Sequence, residues 1–237
     1  MNQDSCSART EPTTERGRRS RLKLLRAAEQ VFGQHGYEGA SVADICRQAD
    51  AALGSFYVYF PDKKSAFCEL VDSLGKRLRQ ALAEATKGET DRFAMERAGL
   101  TAFFAFLAEH QKLYRIVRQA EFVDEAVFRR YYERLGEGYA QGMAQAMDDG
   151  AVRRTDPVIA AHCLMGMADF LGMRWMLWDN CDLGAVPALV DTAIDIVSHG
   201  LAPRMAVGDA ATPSTPAKAR KPAKRIASGR TAIARKP

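Results

Sequence analysis

The feature that most constrains this chain is the segment 41–60, SVADICRQADAALGSFYVYF, which is followed by Pro-Asp-Lys-Lys. Its apolar residues recur at helical spacing on both sides of Asp50, so the segment predicts two short helices joined by a tight turn. The second of these helices begins with small residues and ends with aromatic residues. A helix with a slim tip can enter a DNA groove without steric obstruction, so this layout is typical of a helix-turn-helix unit.

Further helices are predicted on both sides of this unit. A first helix covers 18–35, and Gly36 ends it because glycine accepts a positive φ angle at little cost. Ser41 is placed to cap the second helix with its hydroxyl oxygen. Asp62 is placed in the same way to cap a long fourth helix over 63–87. The N-terminal region is therefore predicted to be a three-helix domain followed by a long helix.

The rest of the chain keeps helical apolar periodicity, interrupted by turn signals such as Asp149-Gly150 and Asp156-Pro157. No stretch shows the clean alternation of a half-buried strand. The fold class is therefore predicted to be all-α. The further helices are expected at about 91–109, 112–120, 123–149, 156–179 and 185–201.

Composition and charge divide the chain into four regions. Residues 1–17 are predicted to be a disordered basic arm, 18–66 a helix-turn-helix domain, 67–203 a second helical domain and 204–237 a disordered basic tail. The tail carries nine Lys or Arg and one Asp, a net +8, whereas the whole chain carries +5, so the remainder carries −3. The tail either tethers the chain to DNA without sequence preference or is solvated with no specific role.

The composition also argues against several classes of protein. Apolar residues make up 47% of the chain and charged residues 27%, which allows a sizeable buried core. No apolar run approaches the roughly 20 residues of a membrane span, and the polar N-terminus is unlike a signal peptide, so a cytoplasmic protein with no membrane partner is predicted. The five cysteines form no CxxC pair, and no nucleophile motif or phosphate-binding loop occurs. We therefore expect no metal, no cofactor and no enzymatic activity.

The third helix is predicted to have an apolar face and a slim outward face. Phe56 and Phe60 lie four residues apart, so they share the face that packs inward. The small Gly54 allows the backbone to approach the floor of a major groove, and the Ser55 hydroxyl can bond to a base edge or a phosphate. The outward residues are Leu53, Gly54, Ser55, Tyr57, Val58 and Tyr59.

Groups suited to phosphate surround this helix. The hydroxyls of Tyr57 and Tyr59 stand on rigid side chains, and Lys63 lies beside the backbone N–H groups that begin the fourth helix. Arg18 and Arg19 belong to a short basic cluster that precedes the unit. These residues predict contacts with the backbone of double-stranded DNA.

Together these residues resemble the DNA-binding domain of the TetR family of bacterial transcriptional regulators. The resemblance covers residues 18–70 and implies that the outward residues of the third helix read bases. The phosphate contacts that it implies fall on Ser41, Tyr57, Tyr59 and Lys63. The matching residues are Ala27, Ala28, Phe32, Gly36, Tyr37, Ser41, Val42, Ile45, Ala49, Gly54, Phe56, Tyr57, Tyr59, Phe60, Lys63 and Phe67.

Three residues depart from the family's usual pattern. Asp50 stands where glycine is common in the turn, and aspartate tolerates left-handed backbone geometry better than most residues. Ala52 replaces a common serine or threonine and so loses a helix cap worth about 1 kcal/mol. Leu53 replaces a commonly polar residue, which favours apolar base reading, for instance of a thymine methyl group.

The resemblance also implies that the second helical domain binds a small molecule and pairs with a second copy of the chain. Apolar stripes on the helices near 156–179 and 185–201 are compatible with a four-helix interface in a homodimer. The alternative is that both helices bury these stripes within their own domain.

Aromatic and apolar side chains in this domain predict a pocket for a hydrophobic effector, with an acyl or aryl chain that coenzyme A could carry. Core packing is the alternative role for each of these residues. The predicted pocket residues are Phe103, Leu107, Tyr114, Phe122, Tyr132, Tyr139, Met143, Leu164, Leu171 and Trp175. The cations expected at its mouth are Arg115, Arg118, Arg129, Arg130 and Arg174.

The resemblance implies a ligand-responsive regulator, predicted here to be a repressor that binds a palindromic operator as a dimer and leaves it when the effector binds. In the family mechanism, ligand shifts the segment 112–120, which leans on the helix 63–87 that carries the DNA-binding unit. An activator of the same fold, and an architectural protein that binds DNA without sequence preference, remain as alternatives.

Overall fold

The structure of the chain is a computed structural model, and it describes residues 12–179 and 182–201. The side chains of Leu113, Tyr114 and Leu201 lie outside the described part, as do the predicted basic tail and most of the predicted arm. Every secondary-structure element of the described residues is helical. This confirms the all-α fold class.

Nine α-helices occur in the described ranges, and a π-helical segment and a short 3-10 turn separate the last two. Their ends agree with the predicted ones to within three residues, except at the C-terminal ends of α1 and α8. The helices are α1 (Glu15–Gly39), α2 (Val42–Gln48), α3 (Leu53–Tyr59), α4 (Lys63–Ala85), α5 (Arg92–Glu109), α6 (Leu113–Val123), α7 (Glu125–Asp148), α8 (Pro157–Leu171) and α9 (Val186–Leu201). The π-helical segment covers Gly172–Trp178, and the 3-10 turn covers Leu183–Ala185.

Helix α1 begins earlier than predicted and bends where predicted. Its start is capped by Thr14, whose hydroxyl oxygen accepts a hydrogen bond from the backbone N–H of Gly17 at 3.1 Å. The helix therefore includes the last residues of the segment predicted to be a disordered arm. Gly36 has a φ angle of +73° and interrupts the helical backbone, so the chain turns at this glycine before it reaches Gly39.

The turn between α2 and α3 follows the local chemistry of its residues. Ser41 and Asp44 form a capping box at the start of α2, in which each side chain bonds to the other residue's backbone N–H. Asp50 has a φ angle of +44°, the left-handed geometry predicted for it. Ala52 precedes α3 and provides no side-chain cap. Packing rather than capping must therefore hold the short helix α3 in place.

The aromatic core supplies that packing. Phe32 of α1, Phe56 of α3 and Phe67 of α4 are completely buried, as is Phe60, which directly follows α3. The rings of Phe32 and Phe67 meet edge to face with centroids 5.2 Å apart, and this geometry adds to the free energy of burial. Helix α4 is fixed at its start by Asp62, which accepts a hydrogen bond from the backbone N–H of Ser65 at 2.7 Å.

Helix α8 is shorter than the predicted helix 156–179. Asp156 caps it, and Pro157 occupies its first turn, where a proline costs no backbone hydrogen bond. The α-helical hydrogen-bond pattern ends at Leu171 and continues as the π-helical segment. Apolar spacing over only seven residues does not separate an α-helix from a π-helix, so the change of helix type after Leu171 could not be predicted from the sequence.

Two buried clusters of apolar side chains hold the helices together. The larger one joins α1 to α7 with α9 and contains the aromatic residues described above. The smaller one joins α7, α8 and α9 around Met143, Ala161 and Val197. No helix within the described ranges is long and apolar enough to cross a membrane.

Replacement of Gly36 by alanine tests the role of its backbone geometry. Alanine is strained at this φ angle, and its Cβ would also lie 3.2 Å from the Oε1 atom of Gln119. We expect Gly36→Ala to lower the free energy of unfolding by about 1–2 kcal/mol, as measured by urea denaturation.

Gly138→Ala is the matched control, because Gly138 is exposed within α7 and its added Cβ would meet no described atom within 4 Å. We expect this variant to gain about 0.5–1 kcal/mol, since alanine favours a helix interior. Equal stabilities of the two variants would contradict the importance of the turn at Gly36.

Candidate nucleic-acid interface and internal cavity

Helix α3 presents a continuous outward face. The exposed fractions of Leu53, Tyr57 and Val58 are 51%, 44% and 61%, whereas Phe56 and Phe60 are completely buried. This division of the helix confirms the predicted inward and outward faces. The exposed atoms of this face are mainly methyl groups and an aromatic ring, which are suited to contacts with the apolar edges of bases.

Three further residues of the outward face differ in what they offer a partner. Gly54 is exposed in a helical backbone, and an added Cβ would meet no described atom within 4 Å. Neither strain nor packing within the described chain therefore requires a glycine there, so its small size can serve the approach of an external partner. Ser55 is half-buried. Tyr59 is also half-buried and packs against the core, so it offers less of its ring than Tyr57 does.

Lys63 has a structural role that the sequence did not reveal. Its Nζ donates hydrogen bonds to the carbonyl oxygens of Tyr37 at 2.8 Å and Ala40 at 3.0 Å, and it lies 4.3 Å from the centre of the Tyr37 ring. An ammonium group has three N–H donors, so two of them hold the turn after α1 against the start of α4. One donor is left for the phosphate contact that the sequence predicts.

Ser41 is similarly engaged within the chain. Its hydroxyl donates a hydrogen bond to the Oδ2 atom of Asp44 at 2.6 Å and accepts one from the Asp44 backbone N–H at 3.1 Å. Hydrogen bonds from Ser41 and then from Arg47 hold the pKa of the Asp44 carboxyl below its usual value. A phosphate contact of the Ser41 side chain would therefore have to share the hydroxyl group with Asp44.

Cations on α1 form exposed ion pairs, and Arg18 and Lys23 also donate hydrogen bonds to the carbonyl oxygens of Thr13 at 3.3 Å and Asp50 at 3.4 Å. Arg18 and Arg19 both pair with Glu15, at 3.0 and 3.5 Å, and all three side chains are largely exposed. Such pairs contribute roughly 0–1 kcal/mol, so phosphate can replace the carboxylate. Two further cations flank the turn between α2 and α3: Lys23, which lies 3.8 Å from the Asp50 carboxylate, and the exposed Arg47. The set of DNA contacts predicted from the sequence omitted both.

An internal cavity of about 400 Å³ lies among α4, α5, α7, α8 and α9. Its volume is in the range of small-molecule sites, roughly 300–1,000 Å³. Most of its wall is apolar, with side chains such as Leu82, Leu100, Met167 and Ile194. The cavity can therefore take an apolar ligand of small-molecule size.

The sequence located only part of the cavity wall. Phe103, Tyr132, Tyr139 and Leu164 line the cavity as predicted. The other six predicted residues are not among its described lining residues. Leu107 and Met143 are buried in the core, and Leu171 and Trp175 pack against the larger apolar cluster. Phe122 is 87% exposed at the end of α6. The side chain of Tyr114 lies outside the described part. Helical periodicity does not distinguish core from cavity wall, which is why Leu107, Met143, Leu171 and Trp175 were grouped with the wall residues. Phe122 was wrongly expected to be buried, and the place of Tyr114 in the wall stays a prediction.

The predicted arginines are also not those that line the cavity. The five expected at its mouth interact elsewhere. Arg115 donates to the carbonyl oxygen of Gly33, and Arg118 contacts the sulfur of Met173. Arg129 pairs with Glu125 and Glu133, Arg130 with Asp72, and Arg174 with Asp179. The arginines among the described lining residues are Arg79, Arg92 and Arg134. Arg129, Arg130 and Arg134 all lie on α7, and only the tertiary packing decides which of them faces the cavity.

One polar cluster interrupts the apolar wall. Arg92 is 8% exposed and pairs with Glu96 one helical turn later, and the Tyr139 hydroxyl of α7 donates a hydrogen bond to the same carboxylate. Burial, and then the charge of Glu96, raise the pKa of Tyr139 well above its usual range, so its hydroxyl stays neutral. The four-residue spacing of Arg92 and Glu96 is typical of an ion pair on a helix, but this spacing does not indicate that the pair lines a cavity.

Helix α6 links this helical region to the DNA-binding unit. It packs against both α1 and α4. The Oε1 atom of its Gln119 accepts a hydrogen bond from the backbone N–H of Tyr37, and Arg115 donates one to the carbonyl oxygen of Gly33 at 3.5 Å. The segment 112–120 therefore contacts the DNA-binding unit directly as well as α4.

Comparison with known proteins identifies the family. The family model described as bacterial regulatory proteins, tetR family, matches residues 24–69, which run from α1 into α4. The chain carries the DNA-binding domain of the tetR family. The uncharacterized HTH-type transcriptional regulator YdgC of Bacillus subtilis (strain 168) is 26% identical over 203 residues, which cover 80% of this chain and 96% of YdgC.

Two further tetR-family comparisons cover most of both chains. The HTH-type transcriptional regulator EthR of Mycobacterium tuberculosis (strain H37Rv) is 27% identical over 181 residues, which cover 71% of this chain and 82% of EthR. The transcriptional regulator FadR from Bacillus subtilis, solved in complex with stearoyl-CoA, superposes with a TM-score of 0.66 at 20% identity, covering 76% of this chain and 98% of FadR. The latter likeness shows a shared fold. This tetR-family chain is a DNA-binding transcriptional regulator, and the family is not one of enzymes.

The apolar outward face of α3 generates a prediction for this tetR-family regulator. We expect Leu53→Ala and Val58→Ala each to lower the affinity for a selected operator by about fivefold to tenfold, since each removes methyl groups that are predicted to contact bases. The melting temperature should change little, because both side chains are more than half exposed. Fluorescence anisotropy with operator and random duplexes measures the effect.

Leu22→Ala is the matched control, because Leu22 is also 51% exposed but lies on α1. Its preference for operator over random DNA should equal that of the unmodified protein. An unchanged preference in the two α3 variants would contradict base reading by this face.

Proposed function

We propose that this regulator is a repressor that binds a palindromic operator as a homodimer and is released by a small hydrophobic effector. The observation that carries the proposal is that one helix, α4, takes part in both sites. Its first residue, Lys63, anchors the DNA-binding unit, and its later residues, including Arg79 and Leu82, line the cavity. Some 19 residues of helix separate these ends, a distance of about 30 Å.

A mechanical mechanism is consistent with this arrangement. A ligand that occupies the cavity contacts α4 near Leu82, and any displacement of the helix is transmitted to the turn that Lys63 holds. Two recognition helices must lie about 34–36 Å apart to enter successive major grooves. A ligand that binds better to a conformation with another spacing therefore weakens operator binding by the same coupling free energy.

The surface of the last helices supports a homodimer. Large apolar side chains on α8, α9 and the π-helical segment are more than half exposed, and such a concentration of exposed apolar surface is typical of an interaction site. Its position agrees with the helices near 156–179 and 185–201 that the sequence favours for pairing. The residues are Val158, Ile159, Phe170, Trp178 and Ile196.

The chemistry of the effector is inferred from the cavity. Its mainly apolar wall favours a hydrocarbon chain or ring system. Arg79 and Arg134 line the cavity together with the exposed residues Ala83 and Gly138 of α4 and α7, so cations stand where the cavity approaches the surface. The neighbouring fold of FadR was solved with stearoyl-CoA. We therefore propose an acyl compound, of which acyl-CoA is one form.

Dimer formation can be tested by placing charges on the apolar surface. We expect Ile159→Glu combined with Ile196→Glu to give a monomer by sedimentation velocity and to lose operator binding, because two carboxylates would have to be desolvated in the interface. Phe122→Glu is the matched control, since Phe122 is also an exposed large apolar residue but lies on α6. A double variant that remains a dimer would contradict this interface.

The effector class can be tested with acyl-CoAs of increasing chain length. We expect long-chain members to raise the melting temperature and to release the protein from its operator, because buried apolar area increases with each methylene group, by about 0.8 kcal/mol. Coenzyme A without an acyl chain is the control and should do neither.

Three outcomes would contradict parts of this proposal. An equal response to every chain length would argue against an acyl effector. Binding of random DNA as tightly as any selected duplex would indicate an architectural protein. Transcription that rises when the protein occupies its operator would indicate an activator.

A further inference from the structure

Arg92 lines the cavity, and its guanidinium group has a hydrogen-bond donor without a partner in the described part of the chain. The Arg92 side chain is buried, and its Nε donor has no acceptor in the part of the chain that the structure describes. The other end of the group is occupied, because its Nη2 pairs with Glu96 and lies 3.0 Å from the sulfur of Met143. The Nε atom has almost no accessible surface, so a ligand would reach the guanidinium through Nη1, which lies beside the cavity residues Gly142 and Met95 and has the weak thioether acceptor of Met95 next to it.

The charge of the surrounding cluster restricts which acceptor a ligand can supply. Arg92 and Glu96 neutralise one another, and Tyr139 is a neutral donor to Glu96. The other charged lining residues include Asp169, which is negative, and Arg134, which pairs with Asp72 at 3.3 Å. Arg79 is a further cation of the lining, but a carboxylate bound at Arg92 would share that guanidinium with the Glu96 carboxylate, and the repulsion between the two charges would disfavour it.

A flexible side chain lies between the guanidinium and an occupant. The sulfur of Met95 is 3.6 Å from the Nη1 atom of Arg92, and Met95 also lines the cavity. A thioether is a weak acceptor, and methionine changes rotamer at little cost. An oxygen atom of a ligand can replace Met95 beside Arg92 without disturbing the ion pair with Glu96.

We propose that the cluster of Arg92, Glu96 and Tyr139 binds an uncharged oxygen acceptor of the effector, such as a carbonyl or hydroxyl group. The proposal rests on the effector-binding function proposed above. It selects within the class of acyl compounds, because a thioester or ketone carbonyl meets the requirement and a free carboxylate does not. Arg92 then determines which functional group the cavity accepts, while the apolar wall binds the hydrocarbon part.

The test compares four ligands of one medium chain length on the full-length protein: a methyl ketone, the primary alcohol, the fatty acid and the matched hydrocarbon. Dissociation constants come from displacement of a fluorescent hydrophobic probe. We expect the ketone and the alcohol to bind roughly fivefold to tenfold more tightly than the hydrocarbon and the acid. This comparison uses the unmodified protein and so does not depend on the folding of any variant.

Arg92→Lys separates ligand recognition from structure. Lysine retains a positive charge beside Glu96 but lacks the planar guanidinium that presents Nη1 beside the cavity. We expect this variant to lose the preference for ketone over hydrocarbon and to keep its affinity for the hydrocarbon. The control is Arg97→Lys, at a residue that lies on the same helix but is not among the described lining residues of the cavity and whose side chain is 46% exposed, and it should bind all four ligands as the unmodified protein does.

The inference would be overturned if the fatty acid bound most tightly, or if Arg92→Lys weakened all four ligands equally, as a purely structural role predicts. If acyl-CoAs still released the operator in that case, the proposed function would stand without this inference. If no ligand of either series bound, both would fall.

Discussion

The peptide groups around Tyr37 are held from two directions, and the position of the DNA-binding unit depends on them. Lys63, at the start of α4, donates to the Tyr37 carbonyl oxygen, while Gln119 of α6 accepts from the Tyr37 N–H. Gly36 makes this possible, because its positive φ angle turns the chain out of the helix one residue earlier. A single short turn therefore connects α1, α4 and α6. A displacement of either later helix acts on the same backbone segment.

This connection gives the cavity a physical route to the DNA-binding surface. Interiors of proteins are close-packed and transmit displacement rather than absorb it. Helix α4 buries Phe67, Leu74 and Leu78 on its way from the turn to the cavity, so it moves as a unit with its neighbours. Helix α6 adds a second route, since it contacts α1 as well as α4. Coupling between the sites thus needs only two arrangements of packed helices.

The sequence predicted well those features that depend on neighbouring residues. The four-residue spacing of Phe56 and Phe60 gave the faces of α3, and local chemistry gave the turn at Asp50 and the caps at Ser41 and Asp62. Features that depend on distant residues were missed or misplaced. The structural role of Lys63 was missed because its carbonyl partners lie more than twenty residues away, and its phosphate contact stays a prediction. Leu107 and Met143 were assigned to the pocket but lie in the core, since a buried apolar residue has the same periodicity in a core and in a cavity wall.

Helix α3 contains no charged residue between Leu53 and Tyr59. The cations near it, such as Arg18, Arg19 and Lys23, stand on α1. Ionic strength acts on contacts between cations and phosphates through counterion release, but it hardly affects van der Waals contacts with base edges. As salt rises, total affinity for DNA should therefore fall while the ratio between specific and non-specific binding is preserved. If the predicted contacts hold, the cations on the helices around α3 set how strongly the protein adheres to any duplex, and α3 sets where on that duplex it stays.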